Sequence, residues 1–194
     1  MKTFKNLWLI AIVAIFTFSF TTVNAQQKEI KIANSKVIWK GYKVTGSHEG
    51  TINLKSGFLN FDANKLTGGE FVMDMTTIIT TDLTGEYKGK LEGHLKSDDF
   101  FNAETYPTLA FKANGVTKTG DETFTLRGEM TIRDITKIVE LSVEHSGTVV
   151  DPYGQLKAGM SISGRIKRSD FGLKWNAITE AGSIVVSDEI KLSA

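Results

Sequence analysis

The chain of 194 residues has no cysteine, two prolines, three histidines and almost no excess of charge, with 23 basic against 22 acidic residues. Each shortage excludes something. Without cysteine there is no disulfide framework, no thiol nucleophile and no thiolate metal site. The acylated lipobox cysteine of a tethered exported protein is missing as well, and the core has to stabilise the fold unaided. Near neutrality argues against a nucleic-acid partner, which selects a basic face. No run of like charge or basic amphipathic helix points to a membrane surface. A Gly-rich phosphate loop and a dinucleotide fingerprint are also absent. The nearest approach to a serine-hydrolase elbow, Gly159-Met160-Ser161-Ile162-Ser163, lacks its second glycine and falls in an alternating stretch, not at a strand-to-helix turn.

One long apolar run is present. Lys2 and Lys5 precede Leu7 to Phe16, the run extends to Phe20, and Thr21 and Thr22 close it before Val23-Asn24-Ala25. A basic start, an apolar middle and small residues before a cleavage point make a secretory signal over residues 1–25, and the run is shorter than the roughly 20 residues of a spanning helix. Cleavage after Ala25 leaves 169 residues, 26–194, as a single domain with 21 basic and 22 acidic groups. The expected product is exported to a periplasm or outside the cell, soluble and without a membrane span.

What remains alternates. Phe71, Met73 and Met75 interleave with Glu70, Val72 and Asp74, and Phe124, Leu126, Met130 and Ile132 interleave with Thr125, Arg127, Glu129 and Thr131. A period of two belongs to strands with one buried face. The same reading covers 37–44, 48–54, 57–61, 109–113, 138–143, 158–166 and 183–192. About nine short strands at close spacing predict an all-β sandwich or barrel. Leu66-Thr67-Gly68-Gly69, Gly120-Asp121 and Asp151-Pro152-Tyr153-Gly154 have turn chemistry and favour antiparallel hairpins.

Residues 83–101 break the pattern. Tyr87, Leu91 and Leu95 recur every four residues, as on one face of a helix, and Gly85, Gly89 and Gly93 do so on a neighbouring face. The spacing predicts a short helix, packed closely on the sheet as a lid because glycine lowers helix propensity by up to ~1 kcal/mol per residue. At its end stands His94-Leu95-Lys96-Ser97-Asp98-Asp99-Phe100-Phe101. Two readings compete there. Ser97 or Asp98 caps a following turn while Phe100 and Phe101 anchor it in the core, or His94 works with Asp98 or Asp99 as the acid–base pair of a secreted hydrolase. The structural reading is preferred. His94 and Asp98 are also four apart, as metal ligands on a helix would be, but His48 and Glu49 point to opposite sides of a strand and His145 has only Glu144 beside it. The expectation is no metal and no catalytic residues.

Three motifs in order carry a family resemblance: His94 to Phe101 followed by Tyr106-Pro107; Leu126-Arg127-Gly128-Glu129-Met130-Thr131-Ile132-Arg133-Asp134-Ile135-Thr136; and Arg168-Ser169-Asp170-Phe171-Gly172-Leu173. Together they resemble the YceI-like family of exported lipid-binding proteins over residues 33–192. One departure stands out. The family often opens with an aspartate and a His-Ser pair, whereas this chain reads Ala33-Asn34-Ser35-Lys36 and supplies a histidine later, in Ser47-His48-Glu49-Gly50.

The resemblance implies an extended, lipocalin-like antiparallel β-barrel with a short helical segment. Its interior would hold a long apolar lipid, isoprenoid or quinone-type, as ligand rather than cofactor. Candidate wall residues are then Trp39, Phe71, Met73, Met75, Phe111, Phe124, Leu126, Met130, Met160 and Ile162. The competing reading of the same residues is an ordinary filled core in a ligand-free interaction barrel. Nothing in the sequence excludes a homodimer.

Overall fold

The computed structural model describes residues 26–30, 32–43, 46–62, 65–173 and 186–194. The expected signal over residues 1–25 lies outside them. The alternating segments form β1 (Gln26–Glu29), β2 (Val37–Lys43), β3 (Gly46–Asp62), β4 (Lys65–Thr80), β5 (Thr108–Lys118), β6 (Thr123–Ile132), β7 (Ile135–Val150), β8 (Leu156–Lys167) and β9 (Val186–Ser193). One helix, α1 (Gly85–Lys96), lies between β4 and β5. Hydrogen-bonded neighbours run β1-β3-β2-β9-β8-β7-β6-β5-β4, all antiparallel, and β3 pairs with β4 as well. With β2 on one side of β3 and β4 on the other, the sheet is strongly curved and turns its apolar face inward. The fold is all-β, as the alternation predicts.

Strand length follows from that inner face. Met73 and Met75 on β4, Leu109 and Phe111 on β5, Leu126, Met130 and Ile132 on β6, and Leu141 and Val143 on β7 are buried, while their neighbours along each strand are more open. At about 25 cal/mol per Å² of apolar surface, each of these is worth on the order of 1.5–3 kcal/mol when buried. The period of two is therefore the main local signal that the chain is held as a curved sheet.

Three local expectations change. The stretches 48–54 and 57–61 are one strand, because β3 crosses Ser56 and Gly57 with register shifts and no turn. Leu66-Thr67-Gly68-Gly69 is not a turn but the start of β4. Gly68 and Gly69 are buried there, and a Cβ on Gly69 would lie 2.7 Å from the Phe58 carbonyl oxygen, so close approach of β3 is what calls for glycine. The helix is shorter than 83–101, and it is not closely packed. Tyr87 is exposed, Leu91 half-buried and Leu95 buried, and nothing lies within 4 Å of a Cβ built on Gly85, Gly89 or Gly93. The turn at Asp151 to Gly154 forms as read, with the Asp151 carboxylate accepting the Tyr153 and Gln155 amides and Gly154 at φ +78°.

Candidate functional site

β2 places Val37, Trp39, Gly41 and Lys43 on one face by alternation, and β3 does the same with His48, Gly50, Ile52 and Leu54. Across β2 and β3, Gly41 pairs with His48 and Trp39 with Gly50. The inward members of these two rows, together with Ile78, Leu109, Ile132, Ile166 and Arg168, surround a cavity of about 120 Å³. Leu91, His94 and Leu95 of α1 cover it, and Phe100 and Phe101 complete the wall. Nearly all of that wall is apolar. Trp39 is fixed there by donating its Nε1 proton to the Ile79 carbonyl at 3.1 Å.

Two glycines help make this space. A Cβ on Gly50 would meet the Ile79 carbonyl oxygen at 1.8 Å, so β3 and β4 can only cross this closely with glycine there. Gly41 has nothing within 4 Å of its missing Cβ and leaves room inside.

A polar cluster stands at the rim. His48 Nδ1 lies 2.7 Å from Asp82 Oδ2, and His48 Nε2 lies 2.9 Å from Lys43 Nζ. Asp82 also accepts from the Thr80 hydroxyl at 2.5 Å and the Glu49 amide at 3.3 Å. Burial pushes the Asp82 carboxyl up, but the hydrogen bonds from Thr80, His48 and Glu49 outweigh it and hold the group down at about 2. An ionised Asp82 only accepts, so the imidazole proton is on Nδ1 and Nε2 accepts from the Lys43 ammonium.

The lid is held at the end of β4. Lys88 Nζ donates to the Thr80 carbonyl at 2.6 Å, Glu92 Oε1 accepts the Thr80 amide at 2.9 Å, and the two side chains pair at 3.2 Å. Burial raises the Glu92 carboxyl, yet the Thr80 amide and Lys88 bring it below its ordinary value. At the other end of α1, the Ser97 hydroxyl donates to the His94 carbonyl and its amide closes the last turn. Ser97 thus ends this helix; it does not cap a following turn. Asp98 is no cap either, since Arg133 in the β6–β7 hairpin turn pairs with its carboxylate at 3.2 Å and donates to the Phe100 carbonyl. Phe100 and Phe101 are buried anchors, edge to face at 5.0 Å.

Of the ten candidate wall residues, Trp39 lines this cavity. Phe71, Met73, Met75, Phe111, Leu126 and Met130 are buried in the packed interior beside it, and Phe124, Met160 and Ile162 are half-buried against that interior. The Phe71 and Phe111 rings stack there at 6.1 Å. The hydrolase pair is not assembled: Asp98 is turned to Arg133, Asp99 is exposed and 4.0 Å from His94 Nδ1, and the His94 ring lies edge-on to Phe100. Among the described residues no three His, Asp or Glu side chains converge as a metal site, and no helix is long and apolar enough to cross a membrane. Lys43, His48, Ile52 and Arg168 are the site residues that sequence reasoning missed. The usable signal was the inward alternation carried past Gly41 to Lys43 and back from Gly50 to His48.

Known proteins share this arrangement of strands. A YceI-like domain matches residues 22–194. A Protein YceI of Salmonella agona is 30% identical over 189 residues, covering 91% of each chain. UPF0312 proteins of Azotobacter vinelandii and Photorhabdus laumondii are 30% and 42% identical, but the match spans 63% and 42% of their lengths. In three dimensions the crystal structure of Burkholderia cenocepacia BcnA superposes with a TM-score of 0.68 at 19% identity, over 84% of this chain and 96% of that one. A Campylobacter jejuni YCEI protein gives a TM-score of 0.56 at 24% identity, over 98% and 95%. A domain match that runs from residue 22 to the last residue, on a curved antiparallel sheet shared with these structures, means that the chain belongs to the YceI-like family.

Proposed function

We propose that this chain is an exported binding protein, not an enzyme, that holds a long apolar lipid of isoprenoid or quinone type. The observation that carries the reading is an almost wholly apolar cavity on the inner face of a curved sheet, under a helix secured chiefly at one strand end. Each buried CH₂ is worth about 0.8 kcal/mol, so roughly ten carbons supply ~8 kcal/mol before association costs. Chain burial then supplies most of the affinity, and no compact polar site is needed. Export rests on the basic, apolar and small-residue order of residues 1–25.

At about 120 Å³ the cavity is smaller than the ~300 Å³ at which ligand pockets usually begin. A complete chain therefore enters by moving α1 and the following loop outward. The helix suits that role: it carries three glycines with an open face, and Thr84 gives it no side-chain cap. Phe71, Met73, Met75, Phe111, Phe124, Leu126, Met130, Met160 and Ile162 are the wall that a longer chain meets beyond Trp39.

A second reading, a ligand-free barrel that binds other proteins, is favoured by the small cavity and the stacked Phe71–Phe111 pair. Native mass spectrometry of the protein from its own compartment, followed by solvent extraction, separates the two. A stoichiometric long-chain lipid that is lost in a folded Gly41→Leu variant is the expected result. A mass that stays ligand-free after incubation with isoprenoid lipids supports the filled barrel.

A further inference from the structure

We propose that the lipid taken by this cavity ends in an oxyanion, a carboxylate or phosphate, and that Lys43 receives it. The inference rests on the lipid-binding reading above and adds the chemistry of the ligand's polar end. Four lining side chains carry basic nitrogen, Lys43, His48, His94 and Arg168, and among the described residues no carboxylate lines the cavity. An apolar chamber whose ionisable wall groups are so one-sided selects the charge of what enters it.

The two lysines of β2 differ in the way this requires. Lys40, on the opposite face, pairs with the Glu49 carboxylate at 3.1 Å. Lys43, on the cavity face, has the His48 imidazole as its hydrogen-bond partner, and no described carboxylate lies within 4.0 Å of it. The nearest carboxylate in the network, Asp82, is one residue further back and is occupied by Thr80, His48 and the Glu49 amide. His48 therefore aims the ammonium without neutralising it. An ammonium has three N–H groups; one goes to His48 Nε2, and two are left to donate.

A half-buried ammonium beside apolar wall is short of both solvent and a counter-charge. A neutral carbonyl or hydroxyl would accept a hydrogen bond from it but leave the charge unmatched, whereas an oxyanion does both. Arg168 adds a second positive charge to the same wall while donating to the Leu173 carbonyl at 2.8 Å. Asp188 meets part of that charge. The Ser169 hydroxyl first, and then the Arg168 and Lys167 charges, hold its carboxyl below its ordinary value against the effect of burial. Lys43 is thus the cation that calls for an anion from outside the chain.

Matched lipid pairs test this on the purified protein: farnesyl phosphate against farnesol, and palmitate against hexadecanol, each titrated by displacement of a fluorescent apolar probe. The expected result is that an acidic member binds at least about tenfold more tightly than its alcohol. That preference should vanish in Lys43→Met and return in Lys43→Arg, and the pair that shows it distinguishes phosphate from carboxylate. Equal affinity within both pairs, or a preference that survives Lys43→Met in a folded variant, overturns the proposal. If no member of either pair binds, the lipid-binding reading itself fails and takes this inference with it.

Discussion

Two stretches of the same inner face come out differently. Around Phe71 and Phe111 the inward positions of neighbouring strands all carry large groups, the rings stack, and Leu126 and Met130 are sealed beside them. Beneath α1 the inward rows of β2 and β3 include Gly41 and Gly50, and a cavity remains. The alternation of apolar and polar residues is similar in both. What differs is volume: a missing side chain at one inward strand position, with a helix in place of another strand above it, converts core into chamber.

The largest expected effect is at the filled stretch. Phe111→Ala should cost about 3–5 kcal/mol in denaturant unfolding, since the stacked partner Phe71 cannot collapse into the gap. If lipid affinity also drops, the chain reaches past Trp39, and the division between the two stretches is less sharp than the cavity suggests. At the chamber, acid is the probe. Asp82 is depressed from 3.8 to about 2, so its contribution is complete above about pH 4 and is lost as pH falls through about 2. The loss should be about 1–2 kcal/mol once solvent screening of a partly exposed group is allowed for, and Asp82→Asn should abolish that part of the acid dependence. A variant with an unchanged acid transition would show that the His48–Asp82 contact does not hold the rim.

The smallest effect is on the lid. Gly89 lies in the helix, exposed and with nothing near its missing Cβ, so Gly89→Ala should stabilise by up to ~1 kcal/mol. Slower release of bound lipid in stopped-flow displacement would tie that helix to entry. Unchanged release with raised stability would place the way in elsewhere.

Much of the architecture was legible. The period of two over Phe71 to Met75 and Phe124 to Ile132 marked β4 and β6, and the four-residue spacing of Leu91 and Leu95 marked the helix. Glycine was harder to read. Gly68 and Gly69 look like a turn in sequence and are a close approach in space, whereas the Gly85, Gly89 and Gly93 series looks like tight packing and faces nothing. A glycine states only that a side chain is absent; whether backbone, cavity or solvent occupies that place depends on segments far away in the chain.

The same limit governs the site. Alternation by itself determined that Trp39, Phe71 and Phe111 face inward and that Phe100 and Phe101 are anchors, because side-chain direction along a strand and the cost of exposing an aromatic ring are local matters. Only the tertiary structure decided that Trp39 borders a space while Phe111 meets Phe71, and that Lys43, His48 and Asp82 form one cluster. Asp82 lies 34 residues from His48 in sequence. Their meeting is set by the register of β3 against β4, in which Gly50 lies opposite Thr80, and a pairing between distant strands is written in no single stretch of sequence.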